Sequence, residues 1–255
     1  ITYGDWSSDV CSSDLNVYSF SEGNKDQKDL LGGKGANLAE MMRIGIPVPP
    51  GFTITTEACK EYLGNGRAPI ELEIQITKAL RELEDEMQKR LGDKENPLLV
   101  SVRSGAKFSM PGMMETILNV GLNDHSVEGL AKQTGNPRFA WDAYRRLIQM
   151  YGKTVLHIDG GLFSQELERA KQNQKIQNDH ELSVDSLKVL VNQYKEIVKS
   201  KSGSDFPQDP RVQLDNSMRA VFDSWNTERA ILYRRRERIP DDLGTAVNIG
   251  SMVFG

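Results

Sequence analysis

Residues 98–121, LLVSVRSGAKFSMPGMMETILNVG, place the tightest limit on the fold. The apolar, β-branched run from Leu98 to Val102 reads as a strand ending on Arg103, and TILNVG after it reads as a second strand. The loop between them holds Ser, Gly and Pro together with four large apolar side chains, Phe108, Met110, Met113 and Met114. Surface loops rarely carry that much apolar surface, and core strands rarely end on an arginine beside a glycine. Either the loop plugs a core, with Arg103 paired to a structural carboxylate, or arginine and loop together receive a ligand. On these residues alone the two readings stand even.

The remaining chain alternates between strand and helix signals. NVYSF (16–20) is a short strand. GGKGANLAEMMRIG (32–45) is a glycine turn opening a helix with Leu38, Met41 and Met42 on one side and Gly45 as its stop. IPVPPGFTI (46–54) is a proline-stiffened turn entering a strand, and Thr55 or Thr56 caps the helix that follows. Apolar residues at 70, 74, 76, 80, 83, 87 and 91 predict an amphipathic helix over 70–91. From Asn123 to about Ile239 the pattern is helical, the last part reading as one long helix from Asp209. The segment KSGSDFPQDP (201–210) is the best hinge or boundary candidate. GTAVNIGSMVFG then returns to strand, and a chain stopping inside it reads as truncated. The fold class is α/β (α+β).

Composition narrows the function. Lys and Arg number 32 against 36 Asp and Glu, a net charge of −4, which argues against a general nucleic-acid binder. No apolar run approaches the roughly 18–20 residues that span a bilayer. Cys11 and Cys59 have no metal spacing and form no framework, which suits a reducing cytoplasm. Residues 1–15, ITYGDWSSDVCSSDL, lack the design of a signal peptide. They look like a translated sequencing adapter, the alternative being a genuine N-terminal tail, and are set apart from the functional reading.

Two cations stand out. Lys34 lies between glycines at a helix start, where the helix's partial positive charge makes a lysine unfavourable until an anion arrives. Taken alone, GGKG reads better as a flexible turn with a solvated lysine, and it is not the P-loop pattern. Arg103 shifts the balance, because arginine offers a fork of donors suited to phosphate and strand carboxyl ends are where open α/β sheets place ligands. The two are expected to face one cavity. His125, His157 and His180 share no metal spacing. RRRER (234–238) reads as the solvated, dipole-favoured end of a helix, and Asp241 and Asp242 as a turn.

Five segments, LLGGKGANLAEM, IPVPPGFTITTEAC, VSVRSGAKFSMPGMMETILNVGLND, NPRFAWDAYRRLIQMYG and IPDDLGTAVNIGSMVFG, resemble the N-terminal part of the pyruvate, phosphate dikinase family from about Val17 to Gly255. The GAKFSMPGMM loop separates this family from the related phosphoenolpyruvate synthases. The resemblance implies an ATP-grasp first lobe over 16–122, a helical insert over 123–205, and a long helix and strand over 206–255 leading toward a second lobe. It implies ATP as ligand, with Mg²⁺ held by residues beyond 255 and no metal ligand within this chain. It implies conversion of ATP, pyruvate and phosphate to AMP, phosphoenolpyruvate and pyrophosphate through a phosphohistidine on a separate domain. Partners implied are that domain and a second copy of the full-length protein, with no nucleic acid and no membrane.

Carried over by position, Lys34 and Arg103 match the family's cationic contacts to the nucleotide phosphates, Arg103 in the catalytic role. Ser109, Met110, Pro111 and Gly112 match the mobile loop that closes on the terminal phosphate, its methionines keeping water away. Met252 and Val253 lie where the base would be bordered. Nothing in the sequence resembles the family's TSHAAV-like histidine segment. The alternative is a free-standing nucleotide-binding regulatory module without phosphotransfer.

Overall fold

A computed structural model describes residues 15–254. All of the leader except Leu15 therefore lies outside the described residues, and Cys11 with it. The first strand, β1 (Val17–Ser19), pairs with β2 (Gly51–Ile54). Between them runs α1 (Lys28–Arg43). Thr55 caps α2 (Thr56–Asn65), its hydroxyl accepting the Ala58 N–H at 3.3 Å. Then follow α3 (Ile70–Met87), the two-residue strands β3 (Arg90–Leu91) and β4 (Pro97–Leu98), β5 (Val100–Gly105) and β6 (Thr116–Val120).

The helix expected over 70–91 stops at Met87. Gln88 takes the left-handed conformation (φ 52°) and returns its N–H to the Asp85 carbonyl, so Arg90 and Leu91 leave as a strand paired with β4. A left-handed Gln has no sequence signal of the kind a glycine would give.

The helical region comprises α4 (Ser126–Thr134), α5 (Pro137–Thr154), α6 (Gly160–Gln174), α7 (Val184–Ser202), α8 (Pro210–Asp223) and α9 (Glu228–Glu237). Asn136 caps α5 through the Phe139 N–H, with Pro137 at the first helical position. The long helix expected from Asp209 is two helices. A 3₁₀ turn over Ser224–Asn226 breaks it, and Thr227 is extended (φ −66°, ψ 147°). Phe206, in the hinge candidate, is buried with its ring edge-on to Tyr151 (5.3 Å) and Tyr144 (6.1 Å).

The last strand, β7 (Ala246–Ser251), does not extend the sheet at its edge. The order is β1-β2-β7-β5-β6, every pairing antiparallel, with Phe52 opposite Ile249 and Arg103 opposite Asn248. Strand alternation then sorts the faces. Val100, Val102, Val247 and Ile249 enter the main apolar core, which runs on into α5 (Tyr144, Leu147, Ile148) and α7 (Leu187, Leu190, Val191). Each such side chain contributes about 1.5–3 kcal/mol on burial. Thr53, Ser101, Arg103 and Asn248 face the other way, toward α1. Because the sheet is antiparallel, the rule placing ligands at the carboxyl ends of parallel strands does not select the site here. Among the described residues no helix is long and apolar enough to cross a membrane.

Candidate functional site

The site begins with glycines. At Gly32 (φ 67°, ψ 173°) α1 is interrupted, so a single turn precedes it and the main helix restarts at Gly33. A Cβ on Gly32 would fall onto the Gly105 carbonyl at the end of β5. Gly33 donates its N–H to the Ala106 carbonyl at 3.0 Å. On the next turn, a Cβ on Gly35 would stand 2.9 Å from both the Asn248 and the Thr53 side-chain oxygens. The glycines of GGKG are thus packing residues that seat the helix start on the sheet. Lys34, held between them, projects from the one position with open space beside it.

That space is a cavity of about 500 Å³ between α1 and the loop 106–115. Lys28, Lys34 and Lys107 line it together with Ser104, Ser109 and Thr116. Among the described residues that line it, none is acidic. Lys107 is paired with Asp29 and lies 5.9 Å above the Phe108 ring. Lys34 is open to solvent at one end, yet the cavity walls crowd it. This desolvation, then the Arg103 guanidinium, pulls its pKa below the ordinary lysine value. The opposite charge of an anion would offset both effects by favouring the charged lysine. A divalent cation has no such partner: among the described residues no group of three or more His, Cys, Asp or Glu side chains could hold a metal ion.

Arg103 does not terminate its strand. It sits within β5, exposed, with Ser104 and Gly105 continuing the pairing to β7. Nor does it line the cavity of Lys34. It borders a neighbouring cavity of about 250 Å³ with Phe20, Leu38, Val48, Met252 and Val253. The expectation of one shared cavity is corrected to two adjoining ones, because Arg103 points from the sheet face beside the helix and not from the strand tip. The charges still sense each other, as the depressed Lys34 shows. Met252 is pinned by its N–H to the Leu99 carbonyl (2.8 Å), and Val253 is exposed.

The loop is divided. Ser109 and Gly112 line the large cavity, Gly112 with φ 73° and open space around it, and Phe108 is exposed. Met110 borders the cavity too, yet it is buried in a second apolar cluster with Trp225 and Ala230, joined by Met113 and Met114. Its position is fixed from behind, so it acts first as the anchor of the loop and only then as a screen against water. Arg234, expected as part of a solvated helix end, is buried. It stacks 4.1 Å from the centre of the Trp225 ring, donates to the Trp225 carbonyl and pairs with Asp241 at 2.7 Å. Nothing in RRRER distinguishes the buried arginine from its exposed neighbours. Asn248 was also missed, although a lone amide inside the apolar AVNIG run was a signal; it accepts from Thr53 at 2.9 Å beneath α1.

Comparison with known proteins adds to this geometry. The chain matches the family described as "Pyruvate phosphate dikinase, AMP/ATP-binding domain" over residues 28–75 and 65–255. It is 52% identical over 241 residues to the pyruvate, phosphate dikinase of Clostridium symbiosum, covering 94% of this chain and 28% of that protein. It is 51% identical over 251 residues to the chloroplastic enzyme of Flaveria pringlei, covering 96% of this chain and 26% of the relative. With a chloroplastic enzyme of Oryza sativa subsp. japonica the identity is 52% over 236 residues, covering 92% and 25%. The chain spans about a quarter of the length of these curated relatives.

Proposed function

From the premise that the chain belongs to the family of pyruvate phosphate dikinase AMP/ATP-binding domains, we propose that it is the ATP-binding part of such an enzyme, with the polyphosphate received against Lys34. One observation carries the reading. A lysine at a helix start stands beside a second cation, its pKa lowered by crowding and by that cation, on a cavity with no acidic residue among the described residues of its wall. Such a site is poorly satisfied when empty and improves when an anion enters.

In this reading the two adjoining cavities take the two ends of one nucleotide. Ser109, Met110 and Gly112 close over the terminal phosphate from the loop, and Lys34 neutralises the phosphates from the helix. Arg103 reaches the same charges from the sheet and serves as the catalytic cation. Met252 and Val253 border the base. Aimed positive charge on a transferring phosphoryl group is the main catalytic resource for this chemistry. The chain is then the first lobe of an ATP-grasp fold, with 123–205 as its helical insert and 206–255 leading to the second lobe. Magnesium ligands belong outside the described residues. The full-length protein, a cytoplasmic homodimer, would carry phosphoryl groups to a histidine on a separate domain and on to pyruvate, yielding AMP, phosphoenolpyruvate and pyrophosphate.

The test is titration of ATP, AMP and inorganic phosphate into the chain, followed by amide NMR. ATP is expected to bind weakly, because half of the clamp is absent, and to shift the amides around Lys34 and the loop. AMP should bind more weakly still. Equal response to AMP and ATP would overturn the polyphosphate role, and nanomolar ATP binding would overturn the half-clamp argument. In a completed enzyme, Arg103→Ala should depress the ATP half-reaction and spare phosphoryl exchange between phosphoenzyme and pyruvate.

A further inference from the structure

The cavity loop has a front and a back. Its front residues, Ser109 and Gly112, face the cavity, and the preceding subsection accounts for them. Its back is seated on a shelf built from residues 224–243, for which the proposed chemistry has no use. Met110 is buried against Trp225 and Ala230, with Tyr233, Ile239 and Leu243 around them. The Met114 sulfur lies 3.9 Å from the Ser224 hydroxyl, which donates to the Val221 carbonyl at 2.6 Å. At the end of the loop Glu115 is gripped twice, by the Arg229 guanidinium and by the Thr154 hydroxyl at 3.3 Å.

The shelf is itself braced from below. The Trp225 indole N–H donates to the Asp241 carbonyl at 2.9 Å. Arg234 lies flat against the ring and ties the Trp225 carbonyl to the Asp241 carboxylate. An arginine buried this deeply is costly unless its donors are used. Here one bond holds the Trp225 carbonyl, and the other holds Asp241, whose own carbonyl takes the indole N–H. Trp225 lies within the 3₁₀ turn 224–226 that separates α8 from α9.

We infer that Trp225, braced by Arg234, is a positioning residue for the loop 106–115, holding it ready to wrap the anionic tail of a nucleotide. The inference rests on the reading of the cavity as a polyphosphate site. A loop already ordered in its bound shape avoids the ordering penalty that a free loop meets on binding. Loss of the shelf should therefore weaken affinity without removing any group that touches the ligand.

The test uses the 255-residue chain with three variants, Trp225→Ala, Trp225→Phe and Met110→Ala. Hydrogen exchange of the amides at 107–114 is measured without ligand, and ATP affinity by NMR titration. In Trp225→Ala, exchange in the loop should rise at least tenfold while β5 and β7 stay protected, and ATP affinity should fall about tenfold, equivalent to about 1.4 kcal/mol. Trp225→Phe, which keeps a ring against Met110, should recover most of both. Met110→Ala removes the loop's side of the contact and should raise loop exchange by a similar factor even where Trp225→Ala proves too unstable to purify. Combining it with Trp225→Phe should add little, as expected when two residues act through one contact. Unchanged loop exchange in folded Met110→Ala and Trp225→Ala overturns the inference, and so does looser exchange with unaltered ATP affinity. If wild type binds no ATP while loop exchange still responds, the nucleotide reading fails and the seating of the loop stands.

Discussion

The two walls of the large cavity are made in different ways. The wall bearing Lys34 is fixed mainly by backbone: Gly32 against the Gly105 carbonyl and Gly33 bonded to Ala106, with Gly35 over the Thr53 and Asn248 side chains. The wall bearing Ser109 and Gly112 is fixed by side chains, Met110 and Glu115, reaching a shelf more than a hundred residues away in sequence. Backbone contacts at van der Waals limits have one arrangement. A methionine on a tryptophan depends on two side chains staying in place. One wall sets where charge must arrive, and the other holds the loop ready for it through a contact that a single substitution can remove.

The contrast can be broken most severely at Gly32. Gly32→Ala puts a methyl group where the Gly105 carbonyl lies, at a positive φ, and should destabilise the chain by about 3–5 kcal/mol in a denaturant titration. Tolerance of alanine there would show that the helix start can move, and that the two walls are not so different. A smaller effect is expected at Lys34, where Lys34→Gln should lower ATP affinity about tenfold, about 1.4 kcal/mol, without lowering the melting temperature. A wild-type melting temperature that falls with this variant would mean that the lysine is structural.

The pH dependence sharpens the same point. The folded pKa of Lys34 lies below its unfolded value. Between the two, the unfolded chain binds more protons, so the lysine's unfavourable contribution is present at neutral pH and fades as pH rises through that window. A bound anion restores the proton. Calorimetry in buffers of different ionisation enthalpy should therefore show proton uptake on ATP binding at alkaline pH, lost in Lys34→Gln. Proton release would place the anion elsewhere. The smallest effect belongs to Phe108. It is 45% exposed on the loop wall, and Phe108→Ser should change stability by no more than about 0.5 kcal/mol.

What the sequence disclosed was mostly local. A cap at Thr55 or Thr56 (it is Thr55), a helix opening at GGKG, a strand on each side of the methionine loop and the apolar stripes of α5 and α7 are written in neighbouring residues, and the structure has each, with bounds shifted by a few residues. The misreadings have a different physical origin. The end of α3 rests on a left-handed Gln88, the break after Asp223 on a tryptophan that finds its partner across space, and the burial of Arg234 on that same tryptophan. Arg103 and Lys34 were singled out by charge and flanking glycine. That they open into adjoining cavities depends on where a helix lies over an antiparallel sheet, and no spacing along the chain encodes that.

The position of β7 carries a consequence for synthesis. Residues 246–251 form the middle rung of the sheet, between β2 and β5. A ribosome making this protein must therefore release nearly two hundred residues after β2 before the two halves of the sheet can join. Until then Phe52 and Val102 lack the neighbour that covers them, and the nascent chain depends on its helices, or on a chaperone, to keep those edges from pairing with another molecule.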